Sequence, residues 1–284
     1  MDQIQHKYVE VNGLKLHVAE TGTGPAAVMF LHGFPEIWYS WRHQMIAVAD
    51  AGYRAIAPDY RGYGLSDPPP EPEKASLLDF AHDMVALLDA LDIPKVFLVG
   101  KDFGSPIAYL IALLYPKRIS GVVALGVPFM PPRPPTHHKG LPEGFYISRW
   151  KEPGRAEADF GRFDAKTVVR NIYILFSKSE IPIAGENKEI MDMVEPSTPL
   201  PPWSMHKHLD IPDPKVEVPS MLIMGEEDYV FKFPGIEDYI RSGEVKTYVP
   251  NLETIYVPEG THFVQEQFPD QVNQLLLTFL SNRN

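Results

Sequence analysis

The chain has 284 residues, 44% of them hydrophobic, a formal net charge of −11 and no cysteine. That length and apolar fraction suit one large α/β domain with an inserted lobe, while the negative charge argues against nucleic acid or an anionic membrane as a partner. Without cysteine there are no disulfides, thiolate nucleophiles or thiolate metal sites, and with no signal-peptide pattern at the start and no apolar run near the ~20 residues of a membrane span, the expected location is cytoplasmic.

Residues 7–20 alternate in the period of a strand, and Asn12-Gly13 in their middle is a hairpin turn signal. Residues 26–31 form a continuous apolar run that ends at His32-Gly33, and 53–57 form another that ends at Pro58-Asp59. Both predict buried strands. Helical patterns occupy 39–50 and 75–91. A strand over 95–99 is followed by a helix over 105–115, with further strands at 121–125, 220–224 and 254–257 and helices near 234–240 and 269–280. Strands that alternate with helices predict an α/β fold with a mainly parallel sheet and right-handed crossovers. The alternation stops at Pro128, where Pro131, Pro132, Pro134 and Pro135 follow closely, and a second proline cluster runs through Pro196, Pro199, Pro201 and Pro202. Helical character returns between the clusters, near 155–178 and 187–193. The chain therefore reads as a sheet domain in two halves, 1–127 and 214–284, with 128–213 inserted between them as a lid.

Gly100-Lys101-Asp102-Phe103-Gly104 joins a predicted strand to a predicted helix. A glycine-flanked residue at such a junction is forced into a sharp turn that lifts its side chain into a cleft, the geometry of a nucleophile elbow. A carboxylate at that point suits attack on an sp3 carbon, giving an enzyme–substrate ester. The competing reading is that Asp102 caps the helix that follows. The order nucleophile, acid, histidine brings in Asp228, after the strand 220–224, and His262, after the strand 254–257, both at strand ends where such sheets place their sites. Glu226 and Glu227 compete with Asp228 for the acid role. The backbone N–H groups of Phe34 and Phe103 are the candidate oxyanion donors.

The segments His32-Gly33-Phe34-Pro35-Glu36-Ile37-Trp38, Asp59-Tyr60-Arg61-Gly62-Tyr63-Gly64, Phe145-Tyr146-Ile147-Ser148-Arg149-Trp150 and Gly225-Glu226-Glu227-Asp228 resemble the pattern of plant-type soluble epoxide hydrolases over nearly the whole chain. The resemblance implies an α/β-hydrolase fold with a helical lid and a cis Phe34–Pro35 peptide. It carries the nucleophile onto Asp102, the charge relay onto His262 and Asp228, and a lid tyrosine acid onto Tyr146. It further implies an epoxide and water as the reacting partners, with no metal or cofactor. The apolar rings of Phe34, Trp38, Phe103, Phe129 and Trp150 suggest a hydrophobic substrate, with Pro35, Trp38, Phe129 and Trp150 expected to line its pocket, and the expected working state is a monomer or homodimer.

The chain departs from that pattern at Pro202-Trp203-Ser204-Met205, where a helical hairpin bearing the family's second lid tyrosine has no counterpart. Tyr173 is a candidate substitute. The shortened lid keeps open a different chemistry or a small-molecule binder without turnover. A dehalogenase uses the same machinery but would place a tryptophan or arginines beside the nucleophile, where this chain has Phe103-Gly104-Ser105-Pro106.

Overall fold

The computed structural model describes residues 3–71, 74–131, 144–150, 152–176, 180, 182–194 and 214–282. The second proline cluster and the shortening expected at 203–205 lie outside them. Eight strands form one sheet: β1 (Gln5–Val11), β2 (Leu14–Thr21), β3 (Ala27–Leu31), β4 (Arg54–Pro58), β5 (Val96–Lys101), β6 (Ile119–Leu125), β7 (Ser220–Gly225) and β8 (Leu252–Val257). Their order in space is β1-β2-β4-β3-β5-β6-β7-β8. The first two pairings, β1 with β2 and β2 with β4, are antiparallel, and all the others are parallel. The β1–β2 hairpin turns on Asn12 and Gly13, whose φ values of 51° and 78° are the left-handed pair of a tight hairpin turn.

The parallel strands read as apolar runs because both faces are covered. Along β3, Met29 and Leu31 join the cluster that packs on α2 (Leu77–Ala90) and α3 (Gly104–Leu114), whereas Val28 and Phe30 join the opposite cluster under α1 (Arg42–Asp50) and the C-terminal helix Pro269–Ser281. Among the described residues no helix is long and apolar enough to cross a membrane.

Between β6 and β7 lie α4 (Tyr146–Trp150), α5 (Arg155–Phe160) and α6 (Ala165–Phe176). The helical character expected near 155–178 is carried by two helices, α5 and α6. Asp164 sets the break: its carboxylate takes the Thr167 backbone N–H at 3.0 Å and the Thr167 hydroxyl at 2.6 Å, so a new helix starts there instead of the old one continuing. The segment expected to be helical at 187–193 is a short 3-10 turn, Ile190–Met193. Beyond β7 come α7 (Ile236–Arg241) and, after β8, α8 (Val264–Gln267) and α9 (Pro269–Ser281).

Candidate active site

The loops after β3, β5, β7 and β8 meet at the C-terminal edge of the sheet, where open α/β sheets hold their ligands. Asp102 sits between the end of β5 and the start of α3 with φ 55°, a left-handed conformation that non-glycine residues rarely hold. The flanking glycines are required by space. A Cβ on Gly100 would lie 2.4 Å from the Gly104 carbonyl oxygen, and one on Gly104 would lie 2.0 Å from the Leu31 carbonyl oxygen. Gly104→Ala is therefore expected to lower the unfolding free energy by about 3 kcal/mol, the upper end for overpacking. A urea melt checks this, and an unchanged midpoint would show that α3 can retreat from β3.

The Asp102 carboxylate points away from the helix. The α3 residue Ser105 donates its N–H to the Asp102 carbonyl at 2.9 Å, and the side chain instead accepts from Phe34 N–H, at 3.2 Å to Oδ1, and from Phe103 N–H. The other oxygen, Oδ2, faces His262 Nε2 at 3.6 Å. His262 Nδ1 in turn lies 2.9 Å from each oxygen of Asp228, whose Oδ1 also accepts the Val230 N–H at 2.9 Å. A histidine held at Nδ1 by a carboxylate presents Nε2 to the group opposite, here Asp102. Glu226 and Glu227 are exposed, while Asp228, His262 and Asp102 are all buried. The Phe34–Pro35 peptide is cis.

Burial pushes the Asp102 carboxyl up to about 7, against the pull of its hydrogen bond to His262 and the Lys101 charge. Burial, and to a lesser degree the Lys101 charge, oppose the His262 imidazolium, but the Asp228 and Asp102 carboxylates together outweigh them, so His262 holds its proton above the ordinary histidine range. Both groups work deprotonated in a nucleophile–base pair, and both are protonated as pH falls. The rate of any reaction that starts at Asp102 is therefore expected to drop about tenfold per pH unit below about 7. A profile of kcat/KM that stays flat down to pH 5 would contradict it.

Three further features of the site have no motif in the sequence. Gly126, after β6 with φ 75°, leaves room for the dyad, since a Cβ there would lie 2.8 Å from His262 Cε1. Lys101, beside Asp102, forms a fully buried ion pair with Glu36 at 3.1 Å and lies 4.0 Å over the Phe263 ring. Glu36 also receives Gly33 N–H at 3.2 Å and Gln265 Nε2 at 3.0 Å, and the Tyr173 hydroxyl reaches it from α6. The Tyr173 ring stacks on Phe263 at 4.6 Å. One buried carboxylate thus ties the loop after β3, the strand β5, the helix α8 and the helix α6 together.

The expected pocket residues separate. Tyr146 is buried in α4, with Trp150 at 5.5 Å between ring centroids, and Trp150 continues to Phe160 at 5.0 Å and Phe160 to Phe34 at 6.5 Å. Trp38 instead packs edge-on against His6 at 4.7 Å and joins the cluster on the other face of the sheet. Phe129 packs on Tyr109 at 5.4 Å and Tyr248 at 5.9 Å, and its carbonyl accepts the Tyr239 hydroxyl at 2.9 Å. Both were expected beside Pro35. Trp38 is drawn off by its own N–H, which bonds Asp59 Oδ1 at 2.9 Å. Among the described residues no cluster of histidines and carboxylates is arranged to hold a metal ion.

Residues 26–167 match the family model of the alpha/beta hydrolase fold. Epoxide hydrolase 1 of Siraitia grosvenorii is 36% identical over 316 aligned positions, which take in 99% of both chains. Since the alignment is longer than these 284 residues, that relative carries residues with no counterpart here. Among solved structures, an epoxide hydrolase from Vigna radiata superposes with a TM-score of 0.88 at 34% identity, covering 99% of each chain. Potato epoxide hydrolase I superposes with a TM-score of 0.84 at 32% identity, covering 98% of this chain and 99% of its own. A buried aspartate in the elbow, a histidine–aspartate dyad facing it and full-length kinship with these proteins lead to one conclusion: the chain belongs to the epoxide hydrolases of the α/β-hydrolase superfamily, hydrolases that act on ether bonds.

Proposed function

We propose that this chain hydrolyses a hydrophobic epoxide to a vicinal diol through a covalent ester on Asp102. The observation that carries the reading is the unequal treatment of the two Asp102 oxygens. Oδ1 accepts the Phe34 N–H at 3.2 Å, whereas Oδ2 faces His262 Nε2 at 3.6 Å. In this reading Oδ2 attacks a ring carbon, the ring C–O bond breaks, and the Tyr146 phenol in the lid gives its proton to the departing oxygen. Oδ1 remains as the ester carbonyl.

The second half uses the dyad. His262, oriented by Asp228, removes a proton from water, and the hydroxide adds to the ester carbon. Oδ1 then carries the negative charge of the tetrahedral intermediate, already within reach of the Phe34 N–H, with the Phe103 N–H also bonded to that carboxylate. As the ester C–O bond breaks, the leaving oxygen takes the His262 proton and the diol departs. The proton left on the Asp102 acid returns through solvent to the Tyr146 phenolate, which restores the starting state. The rings of Phe34, Phe160 and Trp150 form the apolar wall on the lid side, which suits a hydrophobic substrate.

The experiment follows diol formation from styrene oxide, trans-stilbene oxide and a long-chain fatty epoxide, for the native chain and for Tyr146→Phe. The native chain is expected to turn over at least one of them. Tyr146→Phe is expected to slow ester formation by about 10²-fold, the low end for a positioned general acid. A folded native chain that makes neither ester nor diol from any of the three would reject the reading.

A further inference from the structure

Tyr229 directly follows Asp228, so the strand end that supplies the acid also buries a phenol, 2% exposed. Its ring meets the His262 ring edge-on at 5.0 Å and the Phe176 ring of α6 at 5.1 Å. Phe176 meets the Tyr146 ring at 4.7 Å, also edge-on. Tyr229 and Tyr146 therefore share Phe176 as a common wall, and their side chains hydrogen-bond to each other. One phenol belongs to the sheet domain and the other to the segment between β6 and β7. A phenol has one proton and can also accept, so in such a pair one hydroxyl donates while the other keeps its proton for a third group.

The surroundings of Tyr229 favour it as the donor. Burial, reinforced by the phenolic partner and by the Asp102 and Asp228 carboxylates, keeps Tyr229 protonated far beyond the ordinary tyrosine range. A hydroxyl that will not ionise is suited to give a hydrogen bond and keep its proton.

We propose that Tyr229 is the positioning residue for the Tyr146 acid, donating a hydrogen bond to the Tyr146 phenolic oxygen and stabilising the phenolate left when Tyr146 protonates the opening epoxide. This rests on the reading of Tyr146 as the proton donor. As Asp102 Oδ2 bonds to the ring carbon and the ring C–O bond breaks, the departing oxygen takes the Tyr146 proton, and the Tyr229 proton stays where it is. The resemblance assigns two lid phenols to the epoxide oxygen. In this chain the second phenol comes from the core and acts through the first.

The test is the single-turnover rate of ester formation with the same three epoxides, for the native chain, Tyr146→Phe, Tyr229→Phe and the double variant. A thermal melt of each establishes that it is folded. Tyr229→Phe is expected to slow ester formation about tenfold, as removal of a hydrogen bond to a charged group does. It is also expected to move the alkaline limb of that rate to higher pH, because the Tyr146 phenolate has lost a donor. In the Tyr146→Phe background, Tyr229→Phe is expected to change nothing further. An unchanged rate and limb for Tyr229→Phe, or effects of the two substitutions that simply multiply, overturns the proposal. If Tyr146→Phe itself forms the ester at the native rate, the reading of Tyr146 falls, and this proposal falls with it. A deficient Tyr146→Phe beside a normal Tyr229→Phe overturns this proposal alone.

Discussion

His262→Gln is expected to stop the reaction halfway. The elbow, the two N–H donors to the Asp102 carboxylate and the Tyr146 phenol are all untouched by the change, so attack on the epoxide proceeds. The base that would activate water for the second half is gone. With that base removed, the ester accumulates to one equivalent per chain, and kcat falls by on the order of 10⁴- to 10⁶-fold, as when a member of such a triad is removed. Intact-protein mass spectrometry after mixing with the epoxide reads the adduct directly. Steady turnover near the native rate, or no adduct at all, would mean that His262 does not serve the second step. The substitution is a mild one for the fold: glutamine is close to histidine in volume, and its amide can still donate to Asp228.

Lys101→Met is expected to have the largest effect on stability. Lys101 and Glu36 are both fully removed from solvent and meet at 3.1 Å. Taking away one charge leaves the other buried and uncompensated, which costs about 3–5 kcal/mol. Gly33 N–H, Gln265 and Tyr173 would still satisfy Glu36 in part, so the loss should sit toward the lower end of that range. The double variant Lys101→Met, Glu36→Gln should recover part of it, because the orphaned charge is then gone. Denaturant melts of the two single variants and the double close this cycle. Additive losses would show that the pair is not coupled.

The same substitution is expected to leave a kinetic mark. The Lys101 charge is one of the influences that hold the Asp102 carboxyl down against burial. Without it the carboxyl should protonate at still higher pH, and the acid limb of kcat/KM should move up from about 7. A limb that stays in place would mean that solvent near the nucleophile screens the lysine.

The parts of this architecture that were legible in the sequence are those set by short-range rules. β3, β5 and β7 are buried on both faces, so each appears as an unbroken apolar run, and a loop bearing chemistry follows each one directly. The glycines around Asp102 are legible for the same reason: the turn admits no Cβ at either place. What the chain does not display is who meets whom across the fold. Glu36 and Lys101 are separated by 65 positions, and nothing local to either announces a buried pair. Tyr229 reads as an ordinary aromatic after the acid until α6 and α4 are laid over it. Trp38 and Phe129 stand close in sequence to the oxyanion loop and to β6, but their backbone polar groups are held by Asp59 and Tyr239, which turns the rings elsewhere. Apolar patterning over 155–178 likewise conceals the break that the Asp164 side chain makes.

The central claim is that Asp102, and not a water molecule, attacks the epoxide. The direct test is one turnover in heavy-oxygen water with enzyme in excess over epoxide, followed by mass analysis of the diol and of the Asp102 peptide. If the ester forms, the diol of that first turnover takes its new oxygen from Oδ2 and carries no label, while the heavy oxygen appears in Asp102. If the diol carries the label and Asp102 does not, water attacked the ring directly, and the ester mechanism is wrong for this chain.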